Sequence, residues 1–189
     1  MTTKTAIDRA DEVLWQIENA SAKDFLPIIG RYKGKLLTEE VRKAKPLHVL
    51  EVGTLMGYSA ILMGKELDEN AEIVSIEIHS DEAELAGQNI VRASIAPKVK
   101  IIAGDALQVI PTLTGQFDFG FIDAEKSEYY QYLKLAEGKL RRGAVVFADN
   151  AGAFAAQMDD YLDYVRTSGK YKSCYVPVGK DGVEISVKL

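Results

Sequence analysis

Residues 47–60 read LHVLEVGTLMGYSA: a short apolar run broken only by His48 and Glu51, then a glycine, then the opening of a helix. Nearly continuous apolar character over so few residues is the pattern of a strand buried on both faces of a parallel sheet. Toward the C-terminus the same kind of run recurs at 73–78, 99–103, 117–122 and 144–148, with helical stretches between at 58–67, 81–93 and 129–140. The last of these puts Tyr129, Leu133, Ala136 and Leu140 on one stripe, which reads as core. A further helix is expected over 154–165, where Phe154, Met158, Tyr161, Leu162 and Val165 share a face. The tail, 171–178 and 182–189, reads as two strands joined by Gly179-Lys180-Asp181, an antiparallel hairpin at the sheet edge. Five parallel runs alternating with helices and closed by a hairpin predict an α/β protein. The expected architecture is a Rossmann-like, doubly wound, seven-stranded, mostly parallel sheet.

Toward the N-terminus the pattern is helical. Val13, Leu14, Ile17 and Ala20 recur at helical spacing, as do Leu36, Leu37, Val41 and Ala44, until Pro46 ends the run. The expected organisation is one domain over 1–189, with 1–45 as a helical cap and 46–189 as the core. A helix over 3–20 would cover the site or pack on a partner, leaving monomer and homodimer both open.

Composition narrows the class. With 47% hydrophobic and 27% charged residues in 189, the chain falls among soluble globular proteins. The single cysteine, Cys174, excludes an internal disulfide and any cysteine-rich zinc pattern. No apolar run approaches the roughly 18–20 residues a spanning helix needs, and residues 1–7 lack the apolar stretch of a signal peptide. The expectation is a cytoplasmic protein with no membrane partner. The net charge of −5 and the scattered lysines and arginines count against nucleic acid.

The acids are not scattered. Glu51 closes the first run and Glu77 the second, while Asp105, Asp123 and Asp149 stand just past the third, fourth and fifth. In open parallel sheets the ligand crevice lies outside the carboxyl ends of the strands, so these five carboxylates converge. Taken singly each could be a helix N-cap. Taken together they call for compensating cations or hydroxyl and amine donors.

The turn Gly53-Thr54-Leu55-Met56-Gly57-Tyr58-Ser59 lacks the G-x-G-x-x-G spacing that brings backbone against a pyrophosphate, and an acid stands just before its first glycine. A ligand with an ammonium and hydroxyls fits better than a diphosphate. Glu77, at the end of the second strand, can take both hydroxyls of a ribose. S-adenosylmethionine has that combination, and its carboxylate could accept from helix-start N–H groups and the Ser59 hydroxyl. A second constellation is Asp123-Ala124-Glu125-Lys126 with Asp149-Asn150. Two carboxylates and an amide oxygen make a hard-oxygen set suited to Mg²⁺ or another divalent cation. Lys126 enters the same crevice as a candidate base. His48 and His79 are isolated and carry no metal-ligand spacing.

Five motifs in order, LEVGTLMGYSAILM, VSIEI, AGDALQVIP, FIDAEKSEYYQYL and VVFADN, resemble the small cation-dependent O-methyltransferases that include the catechol and caffeoyl-CoA enzymes. The resemblance spans roughly 30–189. It implies that Glu51, Gly53 and Ser59 hold the amino-acid end of S-adenosylmethionine, Glu77 the ribose, and Asp105 and Ala106 the adenine rim. It implies Mg²⁺ on Asp123, Asp149 and Asn150, with Asp123 also facing the methionine amine, and Lys126 as the base. The segment 30–53 looks most like the catechol branch, where Ile29 would offer backbone to the cofactor carboxylate and Glu184 would hold the second hydroxyl of a vicinal pair. At positions 124 and 125 the catechol branch has an imidazole and an aromatic gate. Ala124 and Glu125 here are more like the caffeoyl-CoA and bacterial branch, which weighs against strict catechol specificity.

The expected activity is therefore methyl transfer to a hydroxyl of a small catechol-like or other vicinal-diol phenol. Two further readings stay open: a 5-hydroxyuridine-type wobble uridine in tRNA as acceptor, and a nicotinamide-dependent dehydrogenase. A non-catalytic binding protein is a third.

Overall fold

The computed structural model describes residues 6–24 and 26–189. Two helices, α1 (Ala6–Asp24) and α2 (Gly30–Ala44), lead into β1 (His48–Val52), α3 (Tyr58–Gly64), β2 (Glu72–Glu77), α4 (Ser80–Ala93) and β3 (Lys98–Ala103). There follow α5 (Ala106–Thr112), β4 (Phe117–Ile122), α6 (Tyr129–Glu137), β5 (Leu140–Ala148), α7 (Asp159–Thr167), β6 (Tyr171–Val178) and β7 (Asp181–Lys188). The first three positions of the helix expected over 3–20 lie outside the described residues.

The seven strands form one sheet in the order β3-β2-β1-β4-β5-β7-β6. All pairs are parallel except β5–β7 and β6–β7, so the expected mostly parallel sheet with an antiparallel terminal hairpin is what is found. The chain moves outward from β1 to β3, then returns to lay β4 on the other side of β1. At that reversal the connections after β1 and β4 lead to opposite faces of the sheet, and a crevice opens beyond the carboxyl ends of the strands.

Alternation along each strand sends side chains into two cores, one on each face. Leu50 and Val52 pack with Ile110, Phe117, Tyr129, Leu133 and Val165 on the side of α5, α6 and α7. Val49 faces the other way, against Val13, Ile17, Leu37, Val41 and Ile61 from α1, α2 and α3. Burial of this kind stabilises by about 25 cal/mol per Å² of apolar surface, and it fixes the strand ends that carry the acids.

Several element bounds differ from expectation, each for a local reason. The helix marked by the stripe from Leu36 to Ala44 begins at Gly30, because its first turn is polar and hides from an apolar pattern. The short α5 was not anticipated; Asp105 caps it, its carboxylate accepting from the Leu107 N–H at 2.8 Å. The stretch 154–165 splits into a 3-10 turn at Ala155–Gln157 and α7. Strand β5 starts four residues early, at Leu140, with Arg141 to Gly143 exposed.

Candidate active site

The crevice has a volume of about 700 Å³ and is lined from both halves of the sheet. Its walls include Ile29 and Lys33 from the α2 region, Gly53 and Ser59 after β1, Glu77 at the end of β2, and Asp105 and Ala106 after β3. Asp123 and Lys126 come after β4, and Asp149 and Asn150 after β5. The structure thus brings together ten of the twelve residues singled out from sequence, and leaves Glu51 and Glu184 off the lining.

Gly53 shows why the turn after β1 needs glycine. Its φ is +95°, and a β-carbon there would run into the Asp123 carbonyl. The close approach locks the two strand-end loops at the switch point, with Gly53 N–H bonded to Ile76 O at 3.0 Å and Asp123 N–H to Val52 O at 2.9 Å.

Glu51 lies under the floor. It is fully buried, and its carboxylate accepts from Ser59 Oγ at 2.6 Å and, by a short bond, from Ser75 Oγ. Burial pushes its carboxyl up to about 7, with the Ser59 and Ser75 hydroxyls opposing and the Asp123 and Glu77 charges adding to the rise. Where a direct ligand contact was expected, the observed partner is Ser59, whose hydroxyl Glu51 orients.

Glu77 is 6% exposed and both its oxygens are used. Oε2 accepts from the Thr54 and Leu55 N–H groups at 3.0 and 2.7 Å, and Oε1 from His79 N–H at 3.1 Å. The same carboxylate that faces the crevice therefore also holds the glycine turn. Nearby Glu82 has its carboxyl raised by burial and by the Glu77 charge.

After β4, Lys126 Nζ is held at 2.9 Å from Asp123 Oδ1, 2.9 Å from Ala124 O and 3.0 Å from Tyr129 Oη. Tyr129 is wholly buried, and burial raises its phenol well above the ordinary value. Spacing anticipated the Asp123–Lys126 pair; the tyrosine behind it was read only as core.

The sequence reading also missed Lys33. Its Nζ, on α2, lies 2.8 Å from Asp149 Oδ2 and 2.9 Å from Asp181 Oδ2. It comes within 2.7 Å of Asp149 Oδ1 as well, but without hydrogen-bond geometry, so that buried oxygen accepts no hydrogen bond. Burial followed by the Asp123 charge pushes the Asp149 carboxyl up to about 7, against the pull of Lys33. Burial alone would lower the Lys33 ammonium, but the two carboxylates outweigh it and raise it. Asp181 is held well below the usual carboxylate range, because the Ala153 N–H, Lys33 and Asn150 outweigh its burial.

Glu184 was expected beside the acceptor, and the structure puts it elsewhere. It pairs across the ladder with Ala148 and is completely buried, accepting from Arg166 Nε at 3.0 Å and Nη2 at 2.6 Å and from Ser173 Oγ at 2.6 Å. Because β7 runs antiparallel to β5, it is the first residue of β7, Asp181, that stands beside Asp149 and Asn150. Two acids three residues apart look alike on paper; register and strand direction decide which one meets the Lys33 and Asn150 side chains that line the crevice.

Among the described residues no three or more His, Cys, Asp or Glu side chains are gathered for a metal ion. The oxygens after β4 and β5 come from two carboxylates and one amide. No helix of the described residues is long and apolar enough to cross a membrane.

Comparison with known proteins agrees with this geometry. A family model described as O-methyltransferase matches residues 4–167. The chain is 37% identical over 174 residues to catechol O-methyltransferase B of Danio rerio, covering 85% of this chain and 65% of that protein. It is 36% identical over 136 residues to the catechol O-methyltransferase of Mycobacterium tuberculosis, covering 70% and 62%. It thus spans slightly less than two thirds of the length of these two relatives. Among solved structures, the O-methyltransferase from Bacillus cereus in complex with SAH superposes with a TM-score of 0.84 at 25% identity, covering 94% of this chain and 91% of that one. TomG from Streptomyces achromogenes, in complex with SAM, gives 0.82 at 26% identity, covering 99% and 91%. By sequence and by fold, the chain belongs to the S-adenosylmethionine-dependent O-methyltransferase family.

Proposed function

We propose that the chain moves a methyl group from S-adenosylmethionine to a hydroxyl of a small catechol-like or other vicinal-diol phenol, with a divalent cation such as Mg²⁺ beside the acceptor. The observation that carries this reading is a convergence in one crevice: the Glu77 carboxylate, the Lys126 amine, and the oxygens of Asp123, Asp149 and Asn150.

The residues fit both groups. A crevice of about 700 Å³ is in the size range of small-molecule sites, and the names of the Bacillus and Streptomyces relatives include SAH and SAM. For the cation, Asp149 Oδ1 is a buried oxygen with no hydrogen bond, next to the Asp123 charge, and the whole donor set is hard oxygen. When bound, the cofactor supplies an electrophilic methyl and the cation a charge that acidifies a hydroxyl beside it.

The chain's own residues then have distinct tasks. The Ile29 backbone, Gly53, Ser59 and Asp123 would receive the amino-acid end, Glu77 the ribose, and Asp105 with Ala106 the adenine rim. Glu51 would act through Ser59. Asp123, Asp149 and Asn150 would hold the cation. Lys126 Nζ, placed by Asp123, Ala124 O and Tyr129, would take the acceptor's proton in its uncharged amine form. Half-buried Ile28 and partly exposed Phe154 give the mouth apolar surface. Ala124 and Glu125 put no aromatic side chain at those two positions, which favours a range of phenols over catechol alone.

Calorimetric titration of S-adenosylmethionine and Mg²⁺, singly and together, with a catechol as third component, tests the proposal. Lys126→Ala is expected to keep cofactor affinity and lose about 100-fold or more in kcat, and Asp149→Ala to lose its response to added Mg²⁺. No heat with the cofactor would overturn the reading, and unchanged turnover in Lys126→Ala would remove the lysine from it.

A further inference from the structure

Four donors converge on one carboxylate at the start of β7. Asp181 Oδ2 accepts from Lys33 Nζ and from Asn150 Nδ2, each at 2.9 Å, and Oδ1 accepts from the Ala153 N–H at 2.8 Å and the Gly152 N–H at 3.2 Å. The strand start is fastened from outside as well. Tyr175 Oη donates to the Asp181 carbonyl at 3.0 Å. Its ring lies over Gly152 and Gly182, where an added β-carbon at either would come within 2.5 Å of the phenol oxygen.

This has a consequence for Asn150. An amide that faces a carboxylate must present its NH₂ end, so the bond to Asp181 decides which end of Asn150 remains for another ligand, and that end is the carbonyl oxygen. Asn150 also sits at φ +63°, a left-handed conformation that, among residues with a side chain, asparagine tolerates best. Asp181 holds the turn in it by bonding the Asn150 side chain and the two N–H groups at 152 and 153. Through Lys33, the same carboxylate braces Asp149.

We propose that Asp181 is a positioning residue for the cation site: it sets the amide orientation of Asn150 and steadies Asp149 through Lys33, so that both oxygens are offered together with Asp123. The inference rests on the proposed function, in which a divalent cation binds these oxygens.

Asp181→Asn tests it. The variant is nearly isosteric but brings an NH₂ group to the Asn150 amide, which then has to turn its carbonyl inward. Mn²⁺ affinity is read by electron paramagnetic resonance in the presence of SAH, with SAH affinity measured calorimetrically on the same samples. The expected result is a Mn²⁺ Kd raised about tenfold or more with SAH affinity unchanged. In turnover, the Mg²⁺ concentration for half-maximal rate should rise while kcat recovers at saturating Mg²⁺, a split that general loosening of the fold does not produce. Tyr175→Phe, which leaves the carboxylate in place and removes only the bond to the Asp181 carbonyl, should weaken Mn²⁺ in the same direction by a smaller factor, and decides the matter if Asp181→Asn does not fold. Wild-type Mn²⁺ and SAH affinities in both variants would overturn the positioning role and leave the proposed function standing. A wild-type chain that binds SAH but no Mn²⁺ would overturn the role together with the cation part of that function.

Discussion

A carboxyl group without exposed surface must be stabilised by partners or give up its charge, and Glu51 does some of each. Two serine hydroxyls bond it, yet burial still lifts its carboxyl from 4.5 to about 7. The folded chain therefore binds more protons than the unfolded chain between those values, so the stabilising contribution is full below about 4.5 and is lost as pH rises through about 7. Glu51→Gln should remove this loss. The difference in stability between variant and wild type is expected to change by an amount on the order of 3 kcal/mol across that window. Denaturant unfolding at several pH values measures it, and parallel pH profiles for the two proteins would contradict it. The position of Glu51 was legible in the sequence, at the end of a buried strand. Its direction was not, because a side chain at a strand end turns toward whichever neighbour solvates it, and Ser75 comes from another strand.

At the scale of elements, the hairpin and α7 illustrate how a motif is divided by geometry. Residues 180–184 read KDGVE, and the hairpin, its antiparallel sense and its place at the sheet edge were all legible from apolar alternation and a glycine turn. The roles of its two acids were not. Asp181 serves the crevice, while Glu184 pins α7 to the sheet through Arg166. Arg166→Ala leaves the wholly buried Glu184 with Ser173 as its remaining hydrogen-bond partner. Removing one partner of a buried pair costs about 3–5 kcal/mol, but the Arg166 side chain is 43% exposed. Solvent screening reduces the expected destabilisation to about 2 kcal/mol, read as a lower denaturant midpoint with an unchanged slope. No change in midpoint would mean that Glu184 is solvated in another way. Helix α2 teaches the same lesson: its apolar stripe marks it as core-packed, but only its docking brings Lys33 to Asp149.

For the whole molecule, the crevice lies where the order of strands reverses and is lined from both halves of the sheet, so a ligand there bridges the two. Binding to the folded chain alone should then stabilise it globally. SAH at a hundredfold excess over its Kd contributes about 2.7 kcal/mol, which for a chain of this size is a Tm rise of about 5–10 °C. NADH should give none, since the turn after β1 lacks the dinucleotide spacing. A shift with NADH and not with SAH would favour the dehydrogenase reading. The sequence by itself determined the α/β class, the order of the strands and of every helix but α5, and the gathering of acids at the carboxyl ends of the strands, because burial on both faces and strand-end position leave a local trace. Only the tertiary structure decided which acids face the crevice and which cations meet them. The bonds from Lys33 to Asp149 and Asp181 join residues 116 and 148 positions apart. Contacts that long follow from how helices dock and strands register, and no local pattern encodes them.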